Sequence, residues 1–290
     1  MPELPEVETI RRQLAPAVEG ARLVRLEVID PRWSAPAAPE EAEAAAHGRG
    51  VERLSRRGKY LIWTLEGDVH LVMHLRMTGN LLVTEAGEGD RPRPHLRVRL
   101  ALDRDMRVLF VDPRRFGTGH VLLGTEALDA YFATRLGLEP LDPDFTADAL
   151  KALALGRRAP VKAFLLSQEQ VAGVGNIYAD EALFRAGIHP LRPVGTLTRP
   201  QIARLRDGVV ASLEAGIDAR GATIDDFRHT NGARGSFQDR FLVHRREGLP
   251  CPTCERPITK LRAAGRGTYV CESCQPRARP RARRRPRERD

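Results

Sequence analysis

Apolar and polar positions change rhythm along this chain, and the changes divide it. Residues 5–19 set Val7, Ile10, Leu14 and Val18 on one face at helical spacing, and Gly20 closes the pattern. Alternating stretches follow at 21–29 (ARLVRLEVI), 60–66 (YLIWTLE), 69–75 (VHLVMHL), 96–102 (LRVRLAL) and 106–111 (MRVLFV). Gly, Pro and Asp bound them, which predicts a meander or a β-sandwich. Residues 34–48 and 84–94 read as loops or poor helix. Segment 136–145 (LGLEPLDPDF) has two prolines and little pattern and is expected to be a domain linker. Helical spacing returns at 146–155, 160–168, 176–186 and 198–217, where Thr198 is a good N-cap before Pro200. Residues 219–240 are polar and unpatterned and read as a mobile loop. A cysteine-bracketed hairpin, 248–274, is the last folded element.

Composition changes this picture little. A chain of 290 residues with 42% apolar and 29% charged positions has material for two domains with proper cores. No apolar run approaches the length of a membrane span, and no secretory signal is visible, so residence in the cytosol is expected. Charge changes it more. The net charge is +9, but segment 276–290 holds eight arginines and two acids, so +6 of it sits there and the folded body carries about +3. Such a basic, proline-rich tail cannot bury a core; it is expected to be disordered and able to add non-specific phosphate affinity.

Candidate chemistry begins at the first residues, PELPEVE. Removal of Met1 leaves Pro2 with a free secondary amine. An N-terminal amine of pKa near 7.7–8.0 is roughly 10–15% unprotonated at pH 7, far more than a lysine. Such an amine attacks carbonyl carbons and masked aldehydes to form a Schiff base. Glu3 and Glu6 lie within one turn and are placed to move protons beside it. The plain alternative is a helix start, with proline in the first turn and acids at the positive end of the dipole. The four cysteines, Cys251, Cys254, Cys271 and Cys274, stand as C-x2-C-x16-C-x2-C. That spacing lets four thiolates converge on one Zn²⁺, a structural site because protein fills every position. Arg266, between Gly265 and Gly267, is expected at the tip of the finger hairpin, where it could clamp a phosphate or remain an exposed hairpin arginine.

PELPEVE, RRGKYL at 56–61, HLRMTG at 74–79, DPRRFG at 112–117, AGVGNIYADEALF at 172–184 and the terminal four-cysteine finger occur in one order. Together they resemble the bacterial formamidopyrimidine-DNA glycosylases, the 8-oxoguanine branch of the helix-two-turn-helix glycosylase/lyases, over residues 1–275. The resemblance implies an α+β fold: an N-terminal helix plus β-sandwich domain, then a helical helix-two-turn-helix domain with a C-terminal four-cysteine zinc finger. The expected division is 1–135 for the catalytic sandwich, 136–145 for the linker and 146–225 for the helix-two-turn-helix domain. A lesion-covering loop and connection at 226–247, the finger at 248–275 and the tail at 276–290 complete it.

The same resemblance implies base-excision repair of oxidised purines. Pro2 is then the nucleophile at C1′ of an extruded nucleotide, Glu3 the general acid/base at the sugar, and Glu6 the acid positioning the N-terminus. Lys59 contacts phosphate and aids base departure, and AP lyase cleavage follows by β- and δ-elimination. Met77, Arg114 and Phe116 fill the hole left in the duplex, and His74, Lys162, Asn176 and Arg266 are DNA contacts. Asn176 doubles as a helix cap at a phosphate-binding terminus. Taken singly, Met77 and Phe116 also suit core packing and Lys59 a solvated charge. The expected partner is double-stranded DNA bearing oxidised bases or abasic sites, met by a monomer, with zinc the one cofactor and no membrane contact. Two departures stand out: Arg76 where the family usually has glycine, and His244–Arg245 where it typically has Tyr-Gly. The rivals are an endonuclease VIII-type enzyme for oxidised pyrimidines, which Leu4 and an intact DPRRFG disfavour, and an inactive zinc-dependent DNA-binding protein.

Overall fold

The computed structural model describes residues 1–224 and 227–277; the arginine-rich tail from 278 onward lies outside the described residues. Helix α1 (Leu4–Val18) begins at a capping box, in which the Glu3 side chain takes an amide of the first turn and the Glu6 side chain takes the Glu3 amide. Its stripe Val7, Ile10, Leu14 and Val18 is buried in the core of the strand domain, but Leu4 belongs to the core of the helical domain. The first helix therefore stitches the two halves together.

The strands are β1 (Arg22–Val28), β2 (Arg49–Arg57), β3 (Tyr60–Leu65), β4 (Val69–His74), β5 (Asn80–Glu85), β6 (Leu96–Leu102), β7 (Met106–Val111) and β8 (Thr118–Leu123). They form one antiparallel array in the order β5-β7-β6-β1-β2-β3-β4-β8. Strands β1 and β2 share only the pairs Arg22↔Gly50 and Leu23↔Arg49. At that corner the array folds into two four-stranded layers, the expected sandwich, with Leu26, Val98, Leu100 and Phe110 of one layer and Leu54, Leu61, Trp63 and Leu71 of the other in one core. Strands β3 and β4 are buried on both faces, because Tyr60, Ile62 and Val72 pack outward against Phe132 of an unanticipated helix, α4 (Thr125–Ala133). Helix α2 (Pro39–Ala46) and the single turn α3 (Ala86–Gly89) occupy the two stretches expected as loop or poor helix.

Strands β2, β5 and β8 escaped the alternation. In β2 (RGVERLSRR) a register shift between Val51 and Arg53 breaks the period of two, so its few apolar residues never alternate cleanly. Strands β5 and β8 are the two edges of the array, where half-burial leaves a weak pattern.

The second half contains α5 (Ala147–Ala154), α6 (Val161–Leu166), α7 (Asn176–Ala186) and α8 (Arg199–Asp218). Thr198 opens α8 with a capping box to Gln201. Helices α7 and α8 approach closely at Gly208, where an added Cβ would meet the Ala182 carbonyl at 2.6 Å. The loop after α8 is tied down rather than free. Val83 of β5 donates to the Thr230 carbonyl, Gln13 accepts from the Thr230 amide, and Phe227 is buried in the sandwich core. Composition hid these anchors because they are one backbone bond, one glutamine of α1 and one aromatic. The finger hairpin pairs β9 (Thr259–Ala263) with β10 (Arg266–Val270). Its tip is Ala264–Gly265, both at positive φ, so Arg266 is the first residue of β10 and not the tip. Among the described residues no helix is long and apolar enough to cross a membrane.

Candidate active site

Glu3 is only 3% exposed. Its carboxylate sits at the N-terminus of α7, accepting from the Ile177 amide at 3.1 Å and lying 3.5 Å from the Tyr178 amide. An anion is favoured there by the free amides and the helix dipole. The approach needs glycine: a Cβ on Gly175 would stand 2.2 Å from the Glu3 carboxyl carbon, and one on Gly173, itself at φ +80, would strike Leu4 at 2.5 Å. Leu4 also donates its amide to the Gly173 carbonyl. The GVGN segment is thus shaped around residues 3 and 4. The helix cap is Gly175 and not Asn176, which is the first helical residue. The anion filling this terminus is the protein's own carboxylate.

Glu6 lies deeper. One oxygen accepts from the Glu3 amide at 2.8 Å; the other accepts from the Tyr178 hydroxyl and the Ala222 amide, both at 2.7 Å. Burial, with the neighbouring Glu3 charge, raises its pKa against the pull of these donors. Tyr178, whose hydroxyl burial pushes well above its usual value, fits because Gly216 has no Cβ to meet its ring at 2.4 Å. Residues from α1, α7, α8 and the 221–222 turn therefore meet immediately behind Pro2, which is itself buried beneath the exposed Met1.

Lys59 follows the tight β2–β3 turn. Gly58 holds φ +56, and its amide donates to Glu139 at 2.8 Å; the same carboxylate takes Arg56 at 2.5 Å. The Lys59 ammonium is buried, and among the described residues no hydrogen bond holds it. Desolvation lowers its pKa; the Glu3 charge opposes this and Arg266 adds to it. Met1, Glu3, Lys59, Met77, Arg114, Asn176 and Arg266 share the walls of one cleft of about 540 Å³.

The opposite wall is built from turns. Asp112, fully buried, accepts from the Gly117 amide at 2.7 Å, the Arg114 amide at 3.2 Å and the Thr78 hydroxyl, so it organises DPRRFG and ties it to the Met77 turn. Arg114 stacks 4.8 Å above the Phe116 ring. Phe116 is 51% exposed and Met77 38%, which removes core packing as their explanation. Arg76, the first departure, takes φ +52: the backbone that glycine would serve is kept, and an arginine is set on it. His74 accepts the Arg76 amide at Nδ1, so its neutral ring carries its proton on Nε2; burial, then the charges of Arg76 and Lys59, lower its pKa to about 3.

On the finger side, Lys162 requires a correction. It is 0% exposed, and its three donors meet Asp180 at 2.7 Å, the Thr268 hydroxyl at 2.7 Å and the Gly267 carbonyl at 3.3 Å. It cannot also contact a phosphate in this arrangement; it anchors the finger hairpin to α7. Asn176 donates to the Gly267 carbonyl at 3.2 Å and joins the same seam, beside the exposed Arg266. Glu181 collects the amides of Leu242, Val243 and His244, and Asp180 accepts from His244 at 2.9 Å. The four cysteine sulfurs all lie within 4.8 Å of one another, with Cys251–Cys274 at 3.9 Å and Cys254–Cys271 at 3.4 Å. Tetrahedral Zn–S bonds require separations of about 3.8 Å. The cysteines hold one structural zinc.

Tyr178, Asp112, Asp180, Glu181 and the glycines at 173, 175, 216 and 221 were missed by sequence reasoning. The only signal was that several fall inside the quoted motifs. Three comparisons bear on the whole arrangement. Residues 1–119 match the formamidopyrimidine-DNA glycosylase N-terminal domain, 136–228 the formamidopyrimidine-DNA glycosylase H2TH domain, and 248–277 the zinc finger found in FPG and IleRS. The formamidopyrimidine-DNA glycosylase of Chloroflexus aggregans is 45% identical over 95% of this chain and 98% of its own. Among solved structures, the MutM (Fpg) protein of Thermus thermophilus aligns with a TM-score of 0.83 at 41% identity, covering 94% of this chain and 98% of that one. A Lactococcus lactis FPG variant bound to Fapy-dG-containing DNA aligns with a TM-score of 0.88 at 32% identity, covering 95% and 100%.

Proposed function

The chain belongs to the formamidopyrimidine-DNA glycosylase family, and from that premise we infer a base-excision repair glycosylase for oxidised purines whose nucleophile is Pro2 and which also acts as an AP lyase. The supporting observation is the buried Glu3–Glu6–Tyr178 cluster, which holds the backbone next to Pro2 at the edge of a cleft also lined by Lys59 and the Met77 and Arg114 turns.

Removal of Met1 frees the Pro2 nitrogen. Its lone pair attacks C1′ of an extruded nucleotide, the C1′–base bond breaks, and the base leaves with the bonding pair and gains a proton. Opening of the sugar leaves an iminium between Pro2 and C1′. Loss of the C2′ proton then expels the 3′ phosphate, a second elimination expels the 5′ phosphate, and water releases Pro2. Glu3 exchanges protons at the sugar. Its hydrogen bonds at the α7 terminus fix where that side chain stands. Glu6 positions the N-terminal backbone, and Lys59, short of partners and with a lowered pKa, steadies phosphate and assists departure of the base. Met77, Arg114 and Phe116 replace the missing base in the stack, and His74, Asn176 and Arg266 meet phosphates. The sandwich, residues 1–135, carries the chemistry, and the helical domain with its finger carries the grip. DNA is the partner, which puts the work at the nucleoid.

Borohydride trapping on a duplex with 8-oxoguanine opposite cytosine tests this, using protein whose Met1 removal is verified by mass. A covalent adduct at Pro2 is expected, strongly reduced in Pro2→Gly. No adduct, or an adduct on another residue, refutes the mechanism. Greater activity on thymine glycol would assign the pyrimidine branch instead.

A further inference from the structure

The buried rings of His74 and His244 are held in opposite ways. His74 accepts a backbone amide at Nδ1 and so presents Nε2–H whenever it is neutral. His244 faces a carboxylate: Asp180 Oδ2 lies 2.9 Å from its Nδ1. A carboxylate can only accept, so Nδ1 carries the proton and the neutral ring presents a bare lone pair at Nε2. Asp180 is fully buried and its other oxygen is committed to Lys162 at 2.7 Å, so the orientation is fixed from behind. The His244 amide is fixed as well, by Glu181 at 2.9 Å. His244 lines the same cleft as Asn176, Arg266 and Gly267, and among the described residues nothing bonds its Nε2.

We propose that His244 is a proton-linked contact to the DNA backbone, taking up a proton as a phosphate oxygen settles against Nε2. The proposal rests on the functional reading above and deepens it. A lone pair facing a phosphate repels it, whereas an imidazolium Nε2–H donates a charge-assisted hydrogen bond. The groups facing the ring define the balance. Asp180 and Lys162 from α7 and α6 cancel one another. Tyr269 of β10 and Phe241 present ring contacts at 5.1 and 5.2 Å without charge. Arg245, Arg266 and Lys59 add cations to the cleft and Glu3 lines it as well; Glu181, whose pKa burial raises, lies behind the His244 amide. Bound phosphate tips that balance toward the protonated ring. A tyrosine at this position would donate at any physiological pH; a histidine makes the grip depend on pH.

The test is the dissociation constant for a tetrahydrofuran abasic-analogue duplex, at fixed salt from pH 8 to pH 6, for the full chain and for His244→Gln and His244→Tyr. The unsubstituted protein should tighten by up to about tenfold per pH unit more than either variant, the limit for one linked proton. A second readout needs no substitution: ¹³C-labelled histidine NMR should show the His244 ring charged in the complex at pH 7. Parallel pH profiles in zinc-loaded variants, or a neutral ring in the complex, would overturn the proposal alone. Failure of the unsubstituted protein to bind or trap lesion DNA at any pH would overturn the functional reading, and this proposal with it.

Discussion

The two walls of the cleft are made by opposite means. On one, Glu3 and Glu6 are buried, fully hydrogen-bonded and gripped by α7, Tyr178 and the 221–222 turn. On the other, Met77 and Arg114 stand out on turns supported from below by Asp112, with the exposed Phe116 ring beneath the Arg114 guanidinium. Groups that must hand over a proton at a fixed point need an environment that orients them. Groups that enter a duplex must be free to leave their own surface. A substitution on the first wall should therefore cost chemistry and often stability, and one on the second should cost DNA binding alone.

Glu3→Gln should break the comparison most sharply. It keeps the shape at the α7 terminus but removes the proton carrier, so single-turnover excision should fall by about 10²–10⁴ while lesion-DNA affinity changes only severalfold. An equal loss of binding would make Glu3 a structural anchor. Gly175→Ala probes the same wall through its packing. With a Cβ placed 2.2 Å from the Glu3 carboxyl carbon, a loss of about 2–3 kcal/mol in denaturant unfolding and a large fall in excision are expected together. On the opposite wall, Phe116→Ala should weaken lesion-duplex binding by about tenfold and leave the melting temperature within about a degree, because the ring is already half exposed. A clear drop in melting temperature would show that the turn is a packed element.

The smallest effect lies on α1. Glu6 and Glu8 are two residues apart and shift oppositely. Burial raises Glu6. Burial also works against Glu8, but hydrogen bonds from Arg11 and Arg12 hold its pKa at about 2. A depressed carboxylate contributes stability above its unfolded value near 4.5, and that contribution is lost as pH falls from there through about 2. Glu8→Gln should therefore cost on the order of 1 kcal/mol at pH 7, after allowance for solvent screening, and nothing near pH 2. Urea unfolding at both pH values checks it. For Glu6, whose pKa is raised, the sign reverses: its penalty appears as pH rises above 4.5, and Glu6→Gln should narrow the stability gap between pH 4 and pH 7.

The site was legible in outline because its chemistry-bearing residues sit in contiguous motifs. PELPEVE, DPRRFG and the cysteine pairs each place several functional groups within a few residues, and short-range geometry follows from such spacing. The stripe on α1, the strands β3 and β4 and the N-cap at Thr198 were equally local, whereas the burial of both faces of β3 and β4 came from Phe132, far along the chain. Lys162 was not local either. The family resemblance made it a phosphate contact, until Asp180 and Thr268, eighteen and 106 residues away, are seen to consume its donors. The loop after α8 looked free until Gln13 and β5 were found holding it.

The sequence by itself determined which groups are present and how they are spaced along the chain: a nucleophile beside two acids, two cysteine pairs, a turn carrying an arginine and a phenylalanine. Only the tertiary structure decided which of them face the cleft and which hold it up. Burial and hydrogen-bond satisfaction are properties of residues far apart in the chain. For that reason Glu3 fills a helix terminus expected to meet DNA, Lys162 became a strut, and His244 acquired an aspartate behind it.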